Sequence, residues 1–79
     1  MKSKDKKRLA KFRENLARIR KEKGLSQRAL SYLCDVDHTK ISKLENDPNT
    51  NLNVTTLIEL AKGLGVHPKE LLDYEFEFV

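Results

Sequence analysis

The stretch LSQRALSYLCDVDHTKISKLEN, residues 25–46, constrains the fold most, because it holds two short helical patterns with almost nothing between them. Ser26 precedes the first pattern and Asp37 precedes the second, and both residue types are favoured as caps of a helix N-terminus. Only residues 34–36 separate the patterns, which leaves room for a tight turn. We expect Asp35 to adopt a left-handed backbone there, since Asp tolerates that conformation better than most residues.

Amphipathic patterns on both sides of this stretch predict an all-α domain of five helices. Upstream, apolar residues recur every three or four positions from Leu9, and Gly24 can take the left-handed conformation that ends a helix. Downstream, Asn53 is placed to cap a fourth helix that ends at Gly65. Pro68 then favours a short fifth helix, because proline is pre-set for the first helical position.

Each helix is expected to turn one apolar face toward a single core. The predicted inward residues are Leu9, Phe12, Leu16 and Ile19 in the first helix, Ala29, Leu30, Leu33 and Cys34 in the second, Ile41 and Leu44 in the third, Val54, Leu57, Ile58, Ala61 and Leu64 in the fourth, and Leu71 and Leu72 in the fifth. We expect residues 1–8 to form a frayed basic tail, residues 9–73 the folded domain and residues 74–79 a second tail.

Charge is distributed unevenly along the chain. Residues 1–23 carry eleven Lys and Arg against three acids, whereas residues 24–79 carry five against nine. A basic N-terminal segment favours a polyanionic partner, most often nucleic acid, although a solubilising helix surface has the same composition. The single cysteine excludes an internal disulfide framework, and no apolar run is long enough to span a membrane. We therefore expect a cytoplasmic protein with no membrane partner.

The spacing within residues 27–46 is that of a helix-turn-helix motif. Counted from Gln27, apolar residues occupy the fourth, eighth, tenth, fifteenth and eighteenth positions, and Ser31 supplies a small fifth residue. Together with RKEKGLSQ, ISKLEN, VTTLIELAKGLGV and PKELL, this motif resembles the phage repressor and Cro-like family, the xenobiotic-response-element type of bacterial regulators. NLNVTTL is also similar to the restriction–modification controller proteins of that family. The chain departs from the family pattern at Asp35, where glycine is usual, and at Ser31 and His67.

The resemblance implies a compact lambda-repressor-like fold whose third helix lies in the DNA major groove. The face opposite Ile41 and Leu44 is rich in hydrogen-bonding side chains, a composition that an ordinary polar helix face would share. In this family we expect the base-reading residues to be His38, Thr39, Ser42 and Lys43. The expected phosphate contacts are Ser26, Gln27, Lys40, Asn46, Asn49, Thr50 and Asn51. His38 can bond a base or a phosphate, and Tyr32 either donates to a phosphate or lies on the surface.

The family also pairs an Arg late in the first helix with a Glu late in the third. Arg20 and Glu45 occupy those positions, so the resemblance implies a partly buried ion pair with a structural role. Cys34 and His38 are four residues apart, but Cys34 holds a core position of the motif and too few further ligands surround it for a metal site. No nucleophile triad, phosphate-binding loop or HExxH motif is present, so we predict no cofactor and no enzyme activity.

The final residues, YEFEFV, alternate aromatic and acidic side chains with the period of a half-buried strand. A lone strand leaves its backbone hydrogen bonds unpaired, which favours pairing with another chain. We expect a homodimer whose contacts are Leu72, Tyr74, Phe76 and Phe78. The alternative is a tail that folds back onto its own core.

These patterns together predict a sequence-specific regulator of transcription. Double-stranded DNA is the expected partner, and a homodimer is expected because one helix reads only a few base pairs of a near-palindromic operator. Repression or autoregulation would follow from occupying promoter DNA. The alternative from another class is an antitoxin-like module that masks a partner protein, with the acidic and aromatic tail as its binding strand.

Overall fold

The computed structural model describes residues 3–76 and contains five helices over that range. They are α1 (Ser3–Glu22), α2 (Gln27–Ser31), α3 (His38–Asn46), α4 (Val54–Leu64) and α5 (Pro68–Leu71). The described residues contain no strand, so the all-α prediction is confirmed.

Side chains cap the N-termini of the four later helices. Ser26 Oγ accepts the N–H of Ala29 at 2.9 Å, and Asp37 Oδ1 accepts that of Lys40 at 2.8 Å. Asn53 Oδ1 accepts from Thr56 at 2.8 Å, and His67 Nδ1 accepts from Lys69 at 3.1 Å. Each cap satisfies a backbone donor that has no partner within its own helix, which explains why these helices begin where they do.

The first helix is longer than the periodicity predicts. It begins at Ser3 rather than at Leu9, so residues 3–8 are helical and the expectation of a frayed tail over them is wrong. Lys, Arg and Ala are good helix formers, and Asp5 lies in the first turn, where a negative charge interacts favourably with the helix dipole. Gly24 has a φ of 71°, the left-handed conformation expected after the helix ends.

The second helix is shorter than predicted, and its turn has a different backbone. It ends at Ser31. Cys34 is half-buried beyond this end, whereas Leu33 is exposed, so the prediction that Leu33 faces inward is wrong. No described non-glycine residue has a positive φ, so the left-handed conformation expected at Asp35 does not occur. Instead the helix tightens, because the N–H of Leu33 donates to Leu30 O at 2.9 Å, three residues back.

A single core joins the helices. Its fully buried side chains are Phe12, Leu16, Leu30, Ile41, Leu44, Leu60 and Leu71. In α4 the buried stripe is Leu57, Leu60, Ala61 and Leu64. Val54 and Ile58 are exposed, so their predicted burial is wrong, and Leu60 takes a core position that was not predicted. The helix carries two overlapping apolar stripes, and packing against α2 and α5 selects one of them.

Gly63 allows α4 to approach α2 closely. A Cβ atom at this position would lie 2.8 Å from Leu30 Cδ1 and 3.1 Å from Cys34 Cβ. Both distances are shorter than ordinary van der Waals contacts. The glycine therefore sets the spacing between α4 and the helix-turn-helix unit.

The C-terminal segment folds back onto α1 as far as the structure describes it. Tyr74 is half-buried against the core and stacks on Phe76, with ring centroids 4.9 Å apart. Glu75 O accepts a hydrogen bond from Lys11 Nζ at 2.9 Å. The strand expected from residue 74 onward is therefore absent at residues 74–76, and Phe78 lies outside the described residues. Leu71 docks on the core as expected, whereas Leu72 remains 36% exposed.

Candidate DNA-binding surface

Helix α3 presents a polar face because its apolar residues are used for anchoring. Ile41 and Leu44 are almost fully buried, and they fix the helix against the core. The opposite side carries the four residues predicted to read bases, of which Thr39 and Lys43 are exposed and His38 and Ser42 are half-buried. The structure therefore brings all four to one face, where their side chains can reach a groove of DNA.

The exit of α3 is a compact turn built on Asp47. Its N–H donates to Lys43 O at 2.8 Å, and its carboxylate accepts from the N–H of Asn49 at 2.9 Å and from Thr50 Oγ1 at 3.1 Å. The hydrogen bond from Asn49 and the one from Thr50 lower the pKa of Asp47 below its ordinary value. This turn fixes Asn49 and Thr50, two of the predicted phosphate contacts, beside the end of the helix.

The remaining predicted phosphate contacts have different surroundings. Ser26 is exposed, but its hydroxyl already accepts the capping hydrogen bond of α2. Asn46 is exposed on α3 and its Nδ2 lies 3.4 Å from Ser42 Oγ, while Lys40 is half-buried in the same helix. Asn51 is exposed beyond the Asp47 turn, where its Oδ1 accepts from the N–H of Leu52. Lys40 and Asn46 thus lie on α3 itself, and Ser26 and Asn51 lie outside it.

A buried ion pair connects α3 to α1. Arg20 donates through Nε to Glu45 Oε2 at 2.7 Å and through Nη2 to Glu45 Oε1 at 2.8 Å. The side chains are only 10% and 3% exposed, and hydrogen bonding to Glu45 raises the pKa of Arg20. Arg20 Nη1 also donates to Leu25 O at 2.8 Å, so the guanidinium ties the end of α1 to both the α1–α2 connection and α3.

Gln27 belongs to this network, a contact that no local sequence pattern predicts. Its Nε2 donates to Glu45 Oε1 at 3.1 Å, although the two residues are 18 positions apart. A side chain at the N-terminus of α2 is therefore fixed by the same carboxylate that holds α3. The bond orients Gln27 through one hydrogen of Nε2, and the second hydrogen of the same group can donate to another acceptor.

The described part of the chain offers little that suits catalysis or metal binding. Its surface clefts include one of about 490 Å³ beside the helix-turn-helix turn and one of about 320 Å³ between α1 and the C-terminal segment. Among the described residues, no three His, Cys, Asp or Glu side chains are grouped so that they could hold a metal ion. Burial raises the pKa of the Cys34 thiol, which makes it a poorer nucleophile. No helix over the same residues has the length and apolar character needed to cross a membrane.

Comparison with known sequences and structures places these features in a family. The helix-turn-helix family model matches residues 16–71, a range that includes all five helices except the first part of α1. The control protein C.BamHI of Bacillus amyloliquefaciens is 36% identical over 64 residues, which make up 80% of this chain and 78% of that protein. The uncharacterized HTH-type transcriptional regulator y4dJ of Sinorhizobium fredii is 41% identical over 58 residues, or 73% of this chain and 74% of the relative.

Solved structures of restriction–modification controller proteins have the same fold. That of C.AhdI from Aeromonas hydrophila superposes with a TM-score of 0.74 at 33% identity and covers 80% of this chain and 94% of its own. Wild-type C.Esp1396I gives a TM-score of 0.75 at 33% identity, covering 84% and 86% of the two chains. C.Esp1396I has also been solved as a nucleoprotein complex, which superposes with a TM-score of 0.71. The chain belongs to the helix-turn-helix family of bacterial DNA-binding transcriptional regulators.

Proposed function

We propose that this protein is a homodimeric repressor or autoregulator that controls the genes of a restriction–modification system. The observation that carries the proposal is the polar face of α3. The buried residues Ile41 and Leu44 and the Arg20–Glu45 pair hold this helix in place. The chain is also similar to several restriction–modification controllers. A rigidly held helix of this kind suits base reading, because the contacting atoms must be placed to within about 0.5 Å. The protein would act in the cytoplasm, where it has access to DNA.

In the proposed complex α3 enters the major groove. Lys43 donates to guanine O6 and N7, Thr39 places its methyl against thymine, and His38 and Ser42 make further base contacts. Gln27 at the start of α2, and Asn49 and Thr50 after α3, bind the flanking phosphates, which fixes the protein on the duplex without reading sequence. The exposed basic residues of α1, such as Lys6, Lys7 and Arg8, add attraction that does not depend on sequence.

Two copies are needed for useful specificity, and their third helices should be about 34 Å apart on a near-palindromic site. Since the tail packs on its own α1 through Tyr74, we propose that the dimer forms through apolar side chains left exposed on α4 and after α5. These are Val54, Ile58 and Leu72, which we call the α4–α5 apolar surface. Placing a charge on a buried apolar interface would disrupt it.

The dimer contact is tested by sedimentation of two matched variants. Ile58 and Leu33 are 49% and 51% exposed, so Ile58→Glu and Leu33→Glu introduce the same charge at similarly exposed positions. We expect a monomer for Ile58→Glu and a dimer for Leu33→Glu. A dimer in both cases would place the contact elsewhere, and truncation after Asp73 would then test the tail.

DNA reading is tested by selecting duplexes from a random library at about 0.15 M salt, where nonspecific phosphate attraction is damped. We expect wild-type protein to enrich a two-fold symmetric motif, and Lys43→Ala to lose preference at a few symmetric positions. Lys7→Ala is the control, because it removes the same charge from an exposed position of α1, where the proposed attraction does not depend on sequence. No enrichment by the wild type would refute base reading, and equal blurring by both variants would refute the role of Lys43.

A further inference from the structure

The turn between α2 and α3 is held by a residue of α4. The backbone N–H of Asp35 donates to Glu59 Oε1 at 2.8 Å, and the two residues are 24 positions apart. Glu59 is half-buried and Asp35 is exposed, so the contact lies at the surface of the turn. Hydrogen bonds to an ionised acceptor are about twice as strong as those between neutral groups.

This contact matters because the turn contains no glycine and no residue with a left-handed backbone. At the start of the turn, the N–H of Tyr32 donates to Ala29 O and the N–H of Leu33 donates to Leu30 O. Both hydrogen bonds remain within the α2 segment. Such bonds end the helix but do not fix the direction in which the chain enters α3. Val36 is buried and anchors the turn by packing, and the bond at Asp35 fixes its backbone by a directional contact with α4.

We propose that Glu59 is a positioning residue for DNA reading, which orients α3 by holding the backbone of Asp35. The proposal rests on the proposed function, because it concerns the helix assigned to the major groove. His38 starts α3 only three residues after Asp35, and the base-reading side chains occupy its first two turns. A small change in the path of the turn would therefore displace those side chains relative to the bases.

The other partner of Glu59 does not explain its placement. Lys62 Nζ lies 3.9 Å from Glu59 Oε1, at the limit for an ion pair, and the lysine side chain is 68% exposed. Pairs of this kind contribute little because water and salt screen them. The backbone of the turn is thus the shorter and better-oriented partner of the carboxylate.

The test compares Glu59→Ala with Glu59→Gln. The two variants carry the same charge, but only glutamine can still accept the hydrogen bond from Asp35. We expect Glu59→Ala to bind the selected operator about tenfold more weakly than Glu59→Gln, while both bind an unrelated duplex equally. The same pair of substitutions at Glu14, an exposed residue of α1, should show no difference and corrects for helix propensity.

A second readout uses the free protein and does not depend on DNA. Hydrogen exchange of the Asp35 amide should be faster in Glu59→Ala than in Glu59→Gln. The exchange rates of backbone amides in the middle of α1 should be the same in both variants. Equal operator affinity for the two variants, or an equal loss on both duplexes, would overturn the positioning role. If the wild-type protein selects no DNA sequence, the proposed function is refuted. Equal exchange rates of the Asp35 amide in Glu59→Ala and Glu59→Gln would separately refute the role of Glu59 in holding the turn.

Discussion

Removing Glu45 should destabilise the protein far more than removing Glu22, although both carboxylates form short ion pairs with arginine. Glu45 meets Arg20 at 2.7 and 2.8 Å with both side chains almost fully buried, and Glu22 meets Arg18 at 2.8 Å with both more than half exposed. Loss of one partner from a buried pair costs about 3–5 kcal/mol, because the other charge stays buried and uncompensated. An exposed pair spaced by one helical turn contributes only about 0.3–0.5 kcal/mol.

For a domain of this size, each kcal/mol lowers the melting temperature by about 4–8 °C. We therefore expect Glu45→Ala to melt at least about 12 °C below the wild type, and Glu22→Ala within about 4 °C of it. The assay is thermal and urea unfolding followed by circular dichroism. Because Glu45→Ala loses much of a total stability of about 4–12 kcal/mol, Glu45→Gln serves as a milder variant that keeps the shape of the side chain. Similar melting temperatures for the Glu45 and Glu22 variants would refute the argument from burial.

Three further predictions concern Gly63, Cys34 and Asp47. Gly63→Ala should lower the free energy of unfolding, measured in urea, by about 1–2 kcal/mol, because crowding against the fully buried Leu30 outweighs the better helix propensity of alanine. A gain in stability would contradict the close approach of α4 to α2. Iodoacetamide should alkylate Cys34 more slowly in native than in urea-unfolded protein, since burial raises the pKa of the thiol, and equal rates would contradict this. The pKa of Asp47 is lowered in the folded state. Its ionised carboxylate therefore stabilises the protein at pH values above the unfolded pKa of about 3.8, and this stabilisation is lost as the pH falls through the folded pKa. The urea midpoints of wild type and Asp47→Asn should therefore differ at about pH 7 and converge at about pH 2; a constant difference would contradict the role of the carboxylate.

Short-range sequence patterns predict where most of the helices begin and end. Ser26, Asp37 and Asn53 cap their helices through hydrogen bonds to a residue three positions later, and Gly65 ends α4 in a left-handed conformation. Interactions of this range depend on neighbouring residues only, so composition and spacing are sufficient to predict them. The outward polar face of α3 follows in the same way from the spacing of its two buried residues.

The choice of which apolar faces are buried, and of which distant residues meet, depends on how the helices pack against each other. The sequence of α4 is compatible with two stripes, and contact with α2 and α5 buries Leu60 while leaving Ile58 exposed. The bonds from Gln27 to Glu45 and from Asp35 to Glu59 span 18 and 24 positions, and no local pattern encodes such pairs. They form because the packed core brings separate helices to fixed positions, where an N–H donor of one segment meets a carboxylate of another.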